Sequence, residues 1–264
     1  MAFTFAILQS AALDLSEVKK KITHFIRRKV EESQTDGVLV GLDGEVDSAV
    51  AAYLCVEALG SRRVTGLIMP DLRTATDEYV SDSKIVANEL CLEIRQFDIA
   101  PIQKSFMKLL EVNKVSEDNL SARIRMSLLY YHANLLNGLV VGTTDKSEIL
   151  LGHFTKYGNG GVDILPIGDL YKTEVRKLGE VLGINRRIVA KKRSSKAWAS
   201  HKRVDAGLGY DTTDQILGLR FDRDLGAAAI SATVRTSRAK VENVIARHDS
   251  SVHKRETPEI CRIR

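Results

Sequence analysis

Cysteine is scarce in this 264-residue chain: Cys55, Cys91 and Cys261 are far apart, odd in number and form no CxxC pair. That spacing argues against a disulfide framework, a zinc ribbon or a dithiol redox site, and leaves buried structural thiols as the expectation. A run of about 18 apolar residues is also missing, and Met1 to Leu13 has neither a basic flank nor a long apolar region, so no membrane span or signal peptide is expected. A soluble, cytoplasmic protein follows as the expectation. Internal repeats and low-complexity segments are absent. The excess of positive charge is only +5, which favours anionic partners such as nucleotides but is too small to point to nucleic acid.

What is present is enough apolar residue, 44%, to bury the core of one large α/β domain. Leu15, Val18, Ile22, Phe25 and Ile26 recur at helical spacing behind a capping candidate, Asp14. Gly37–Gly41 then reads as a short buried strand and Ser48–Leu59 as an apolar helix ending at Gly60. The alternation continues with strands at 64–69 and 92–97, helices at 76–90, 102–112 and 120–136, and a strand at 138–142. Beyond a glycine-rich connection at 158–161 only helices are expected, near 171–182, 211–217 and 237–246. The pattern predicts a doubly wound, mostly parallel sheet with helices on both faces and ligands at the carboxyl ends of the strands. Residues 1–264 read as a single domain, with a nucleotide-binding core at about 15–183 and a helical C-terminal part at about 184–264.

The first strand-to-helix loop is Gly41-Leu42-Asp43-Gly44-Glu45-Val46-Asp47-Ser48. Its main-chain N–H groups and the following helix N-terminus offer a place for an anion, although the loop is neither GxxxxGK[ST] nor GxGxxG. Alone, such a turn is more often just tight geometry. Asp47 by itself is equally a helix cap, Glu148 a surface helix residue, Lys156 a solvated charge and His253 a surface histidine.

Several segments together change that weighting. They are Gly142-Thr143-Thr144-Asp145-Lys146-Ser147-Glu148, Phe154 to Asp163, Pro166 to Thr173, Gly66 to Pro70, Arg123 to Met126 and His253-Lys254-Arg255. Over about residues 15–260 the chain resembles the NAD synthetase family of the ATP pyrophosphatase (nucleotide α-hydrolase) fold group. The resemblance implies a ligase that activates the carboxylate of deamido-NAD with ATP, releases pyrophosphate, and lets ammonia displace AMP to give NAD. It implies Mg²⁺ on Asp47 and Glu148. It also implies ATP contacts from Gly41, Leu42, Asp43, Gly44, Glu45, Val46, Asp47, Ser48, Thr143, Lys172 and Ser194, and deamido-NAD contacts from Arg123, Lys156, Asp163, His253 and Lys254. No side-chain nucleophile is implied or needed, because ATP supplies the activation and ammonia the attack. A homodimer is the family's usual assembly. The 264 residues, filled by the resemblance, leave no room for an amidase domain, so free or separately delivered ammonia is the expected nitrogen source.

Two stretches depart from the family pattern. Its Ser-Gly-Gly-x-Asp-Ser loop here reads Asp43-Gly44-Glu45-Val46-Asp47-Ser48, with two added carboxylates. A carboxylate about 4 Å from a phosphate charge costs roughly 4 kcal/mol at an effective dielectric of about 20. If Glu45 takes positive φ, strain of about 1 kcal/mol is added. Weakened ATP binding is expected unless the side chains point outward or another Mg²⁺ bridges them. The second departure is the segment 186–203, rich in Lys and Arg and lacking Asp or Glu, in which Ser194 and Trp198 carry what is left of the family pattern. It reads either as a solvated loop or as an anion-binding flap. A catalytically impaired relative that binds a nucleotide or other polyanion is therefore the alternative to the enzyme. An RNA-modifying relative would need a catalytic cysteine or an RNA-binding appendage, and neither is evident.

Overall fold

A computed structural model describes residues 13–74, 77–191 and 208–263. The described residues open with α1 (Leu15–Glu32), whose first turn is capped by the Asp14 carboxylate accepting from the N–H of Ser16 and Glu17, as expected. There follow β1 (Gly37–Leu42), α2 (Val46–Leu59), β2 (Val64–Ile68), α3 (Asp77–Glu89), β3 (Glu93–Gln96), α4 (Ala100–Met107), α5 (Lys114–Leu136) and β4 (Gly138–Val141). Among the described residues only helices come after that, including α6 (Lys146–Leu151), α7 (Lys172–Val181), α8 (Arg186–Val189), α9 (Tyr210–Leu217), α10 (Ala227–Val234), α11 (Arg238–Ser250) and α12 (Val252–Arg255).

The four strands of the described residues are all parallel, in the order β3-β2-β1-β4. Side chains alternate between the two faces, as the pleat requires. Val38, Val40, Leu42, Val64, Ile68 and Val141 pack into one layer with α1, α2 and α7, while Leu39, Leu67 and Val140 pack into the opposite layer with α5. Helix α2 lies at the centre of the first layer, and its run of small and apolar residues is buried nearly all round. A separate apolar cluster, built on Leu151, Tyr171, Ile216, Leu217, Ile230 and Val241, joins α9, α10 and α11 to α6 and the start of α7.

The order of the strands places the site. After β1 the chain winds outward through β2 and β3, then returns across the sheet to lay β4 on the other side of β1. Connections leaving β1 and β4 diverge from adjacent carboxyl ends and leave a crevice between them, the usual ligand position in an open parallel sheet.

Three details differ from the sequence reading. Of the three thiols only Cys55 is buried, and desolvation pushes it up to about 12; Cys91 and Cys261 are exposed. The helix expected over 102–112 is Ala100–Met107, because Pro101 at its first turn has no N–H to satisfy there. Asn113 caps α5, which therefore begins before residue 120.

Candidate functional site

Two loops border the crevice. In the first, Asp43-Gly44-Glu45 links β1 to α2. Gly44 has φ +72°, and a Cβ there would come within 2.9 Å of the Tyr79 carbonyl oxygen and 3.0 Å of Asp82 Cβ. Glycine is thus required by both conformation and packing. Glu45, by contrast, is extended at φ −99°, so the strain expected at that residue is absent.

The added carboxylates behave differently from each other. Asp43 turns inward onto its own loop, where Oδ1 accepts from the Glu45 N–H at 3.0 Å and from Ser48 Oγ at 2.5 Å. It therefore takes two of the donors that an anion at this turn would use. Glu45 makes no capping bond and is half-buried. Burial and the neighbouring Asp43 carboxylate push its pKa up to about 7, against the pull of Lys191.

The second loop leads from β4 into α6. Asp145 caps that helix by accepting the Glu148 N–H at 2.8 Å, which sets Asp145 and Glu148 on one side of the first turn. Asp47 lies in the first turn of α2, across the crevice. Oxygens of Asp47, Asp145 and Glu148 all lie within 4.8 Å of one another.

Between them sits the ammonium of Lys172, 2.5 Å from Asp47 Oδ2, 2.7 Å from Asp145 Oδ2 and 3.6 Å from Glu148 Oε1. Lys172 is 3% exposed and Asp145 fully buried. Burial alone pulls the lysine pKa down, but the carboxylates of Asp47, Glu148 and Asp145 outweigh it and hold the group well above its usual value. Burial drives Asp145 the other way from an ordinary carboxylate, upward, with Lys172 opposing.

These residues suit a hard divalent cation. The donors are carboxylate oxygens, Asp47 Oδ1 is buried without a hydrogen-bond partner among the described residues, and a cationic side chain already occupies the space they enclose.

The remaining residues expected from the sequence form a second group. Arg123 donates to the Lys156 carbonyl at 3.2 Å, Lys156 Nζ donates to the His253 carbonyl, and Lys254 Nζ donates to the carbonyls of Gly152 and Phe154 at 2.7 and 2.9 Å. Arg123, Lys156, His253 and Lys254 are thereby brought together beside the C-terminal end of α6. Burial, with Arg247 nearby, lowers the Lys254 pKa. Lys156, Lys254 and Tyr157 line a hollow of about 200 Å³. Asp163 is held elsewhere, by Tyr130 OH at 2.9 Å and the Val140 N–H at 2.7 Å. Thr143 is half-buried in the loop after β4. Ser194 and Trp198 lie outside the described residues, as does the basic segment beyond Lys191.

Three groups at the site escaped the sequence reading. Asp145 was visible in its motif, and its i, i+3 spacing to Glu148 was the available signal. Asp82, fully buried on α3, pairs with Lys191 at 2.9 Å and has Arg187 Nε 3.0 Å from its other oxygen. Lys191 also lies 3.5 Å from the Gly44 carbonyl, so the described start of the basic segment is fastened to the anion loop. Asp214 on α9 reaches both Ser147 and Thr173. Nothing local marks Asp82 or Asp214.

Comparison with known proteins agrees with this geometry. Residues 18–258 match the family model described as NAD synthase. The NH(3)-dependent NAD(+) synthetase of Archaeoglobus fulgidus is 44% identical over 96% of this chain and 99% of its own length. That of Pyrobaculum aerophilum is 47% identical over 80% of each chain. Among solved structures, the NH3-dependent NAD synthetase of Campylobacter jejuni, in complex with the nitrate ion, superposes with TM-score 0.82 at 32% identity, covering 95% of this chain and 100% of that one. An NMN synthetase from Francisella tularensis superposes with TM-score 0.81 at 27% identity, covering 95% and 99%.

Proposed function

The chain belongs to the NAD synthase family, and from that premise we propose that it is a ligase that amidates deamido-NAD with ammonia, driven by ATP. A carboxylate oxygen of deamido-NAD attacks the α-phosphorus of ATP and pyrophosphate leaves. The lone pair of ammonia then attacks the resulting acyl adenylate, AMP departs, and the nitrogen sheds a proton. The observation that carries this reading is the convergence of Asp47, Asp145 and Glu148 around Lys172, beside a glycine turn at the carboxyl end of β1.

Each group has a part in bringing several negative charges together. Asp47, Asp145 and Glu148 would hold Mg²⁺, which when bound offsets phosphate charge and polarises the phosphorus under attack. Main-chain N–H groups of residues 41–48 and the N-terminus of α2 cradle the triphosphate. Lys172 supplies a cation that can pass from carboxylate to phosphate, and Thr143 and Ser194 add hydroxyl contacts. Arg123, Lys156, Asp163, His253 and Lys254 orient the dinucleotide.

Three coarser expectations join the proposal. The chain forms a single domain divided at about residue 183. It acts as a homodimer, for which Tyr131 and Leu135, exposed one turn apart on α5, offer an apolar stripe. It works in the cytoplasm; no described helix is long and apolar enough to cross a membrane.

The test is incubation of purified protein with deamido-NAD, ATP, Mg²⁺ and ammonium, with NAD and AMP expected in equal amounts. A parallel incubation with nicotinic acid mononucleotide discriminates the activity named for the Francisella relative. Nucleotide binding without turnover of either substrate would sink the ligase and favour the binding-only alternative, to which the inward Asp43 carboxylate lends its one support.

A further inference from the structure

The first N–H groups of any helix lack intrahelical partners, and those of α7 are buried at the site. At the cap position the Tyr171 N–H donates to Glu174 Oε2 at 2.8 Å, and the Tyr171 hydroxyl donates to Asp222 at 2.8 Å. The Lys172 N–H donates to Ser147 Oγ at 3.0 Å, and the Thr173 N–H donates to Asp214 Oδ2 at 2.9 Å. Ser147 Oγ in turn donates to Asp214 Oδ1 at 2.6 Å.

Ser147 donates its single hydroxyl proton to Asp214 while its oxygen accepts from Lys172, and Asp214 receives donors on both oxygens. An ionised carboxylate serves both neighbours as acceptor. Four residues before Asp214, on the same face of α9, the Tyr210 ring lies with its centroid 5.7 Å from the Lys172 ammonium. Helix α9 thus touches Lys172 at both ends: Tyr210 near the ammonium and Asp214, through Ser147, at the backbone.

We propose that Asp214 is a positioning residue that fixes the start of α7 against α6, and so sets where the Lys172 ammonium stands among Asp47, Asp145 and Glu148. This rests on the ligase reading for the meaning of Lys172. The effect of Asp214 passes through Ser147 and the backbone of α7. It also ties the C-terminal helical cluster, to which α9 belongs, to the ATP half of the site.

Asp214→Asn tests the polarity. An amide presents one acceptor and one donor group, so either the Thr173 N–H faces a donor or the Ser147 hydroxyl must turn its proton away and accept from the amide instead. Expected is a rise of at least fivefold in KM for ATP and a fall of about tenfold in kcat, with KM for deamido-NAD unchanged. Loss of folded protein alone would lower kcat without touching KM for ATP. The double variant Asp214→Asn/Ser147→Ala also deprives the Lys172 N–H of its acceptor, and because the two side chains act in one relay its loss is expected to be smaller than the product of the two single-variant losses. Unchanged KM for ATP in folded Asp214→Asn, or losses that multiply in the double variant, overturns the proposal.

Calorimetry with ATP and Mg²⁺ separates this from the ligase reading. A wild-type protein that binds ATP without turnover, while Asp214→Asn binds it at least fivefold more weakly, removes the ligase and leaves the positioning role standing. A wild-type protein that does not bind ATP overturns both.

Discussion

The turn Asp43–Ser48 and the cluster of Asp145, Glu148 and Lys172 meet at Asp47, and both concentrate negative charge at the carboxyl ends of β1 and β4. They neutralise it in different ways. The cluster surrounds a buried ammonium with three carboxylates, a commitment that the fold cannot undo cheaply, since either sign left alone in that interior is strongly unfavourable. In the turn, Asp43 bonds to a main-chain N–H and a hydroxyl, Glu45 is raised to about pH 7, and Lys191 approaches from outside. The cluster is therefore structural as well as chemical, whereas the charge on the turn can be released by rotating one side chain or by taking up one proton.

The largest effect should come from the cluster. Lys172→Met leaves three carboxylates facing one another without a counter-charge and is expected to cost about 3–5 kcal/mol of folding stability. For a chain of this size that is roughly a 10 °C fall in Tm. Millimolar Mg²⁺ should restore part of the loss in the variant and do less for the wild type, because in the latter it competes with the lysine. Equal responses of the two proteins to Mg²⁺ would remove the cation site from the triad and break the contrast between cluster and turn.

An intermediate effect is expected at the turn. Asp43→Ser frees the Glu45 N–H and removes a charge that opposes phosphate, so ATP should bind about tenfold tighter, equivalent to about 1.4 kcal/mol. The same change removes the bonds that brace the empty-handed turn and should lower stability by about 1 kcal/mol. Opposite signs in the calorimetric and melting experiments would sharpen the comparison. Unaltered ATP affinity would mean that the Asp43 carboxylate swings clear whenever nucleotide enters.

How far this was legible in the sequence follows from the range of each signal. The alternation of strands and helices was readable because periodicity is local, and β1, β2 and β4 fall within a residue or so of their expected limits. Asp47, Glu148 and Lys172 were recognisable through the resemblance of their segments to the family. Their meeting depends on β4 lying beside β1, which strand order decides and spacing does not. The direction of Asp43 turns on a single hydroxyl, that of Ser48, and on which residue of the turn takes positive φ; that proved to be Gly44 rather than Glu45. Asp82 and Asp214 had no local signature at all, since each acts on a partner over 40 residues away through tertiary packing.

The effect most specific to the turn belongs to Glu45. Its pKa is raised from 4.5 to about 7, with burial the main cause and Asp43 the next. A carboxyl raised in the folded state binds its proton more tightly there than in the unfolded chain. Its contribution to stability is therefore complete below about pH 4.5 and disappears as pH climbs through 7. Glu45→Gln keeps the shape and cannot ionise, so measured without Mg²⁺ it should match the wild type near pH 4.5 and exceed it by about 2 kcal/mol at pH 8, allowing for partial solvent screening. Parallel stability curves for the two proteins across that interval would show that Glu45 stays charged throughout. The turn would then hold its negative charge as firmly as the cluster does, and the proton-releasable character assigned to it would have to rest on Asp43 alone.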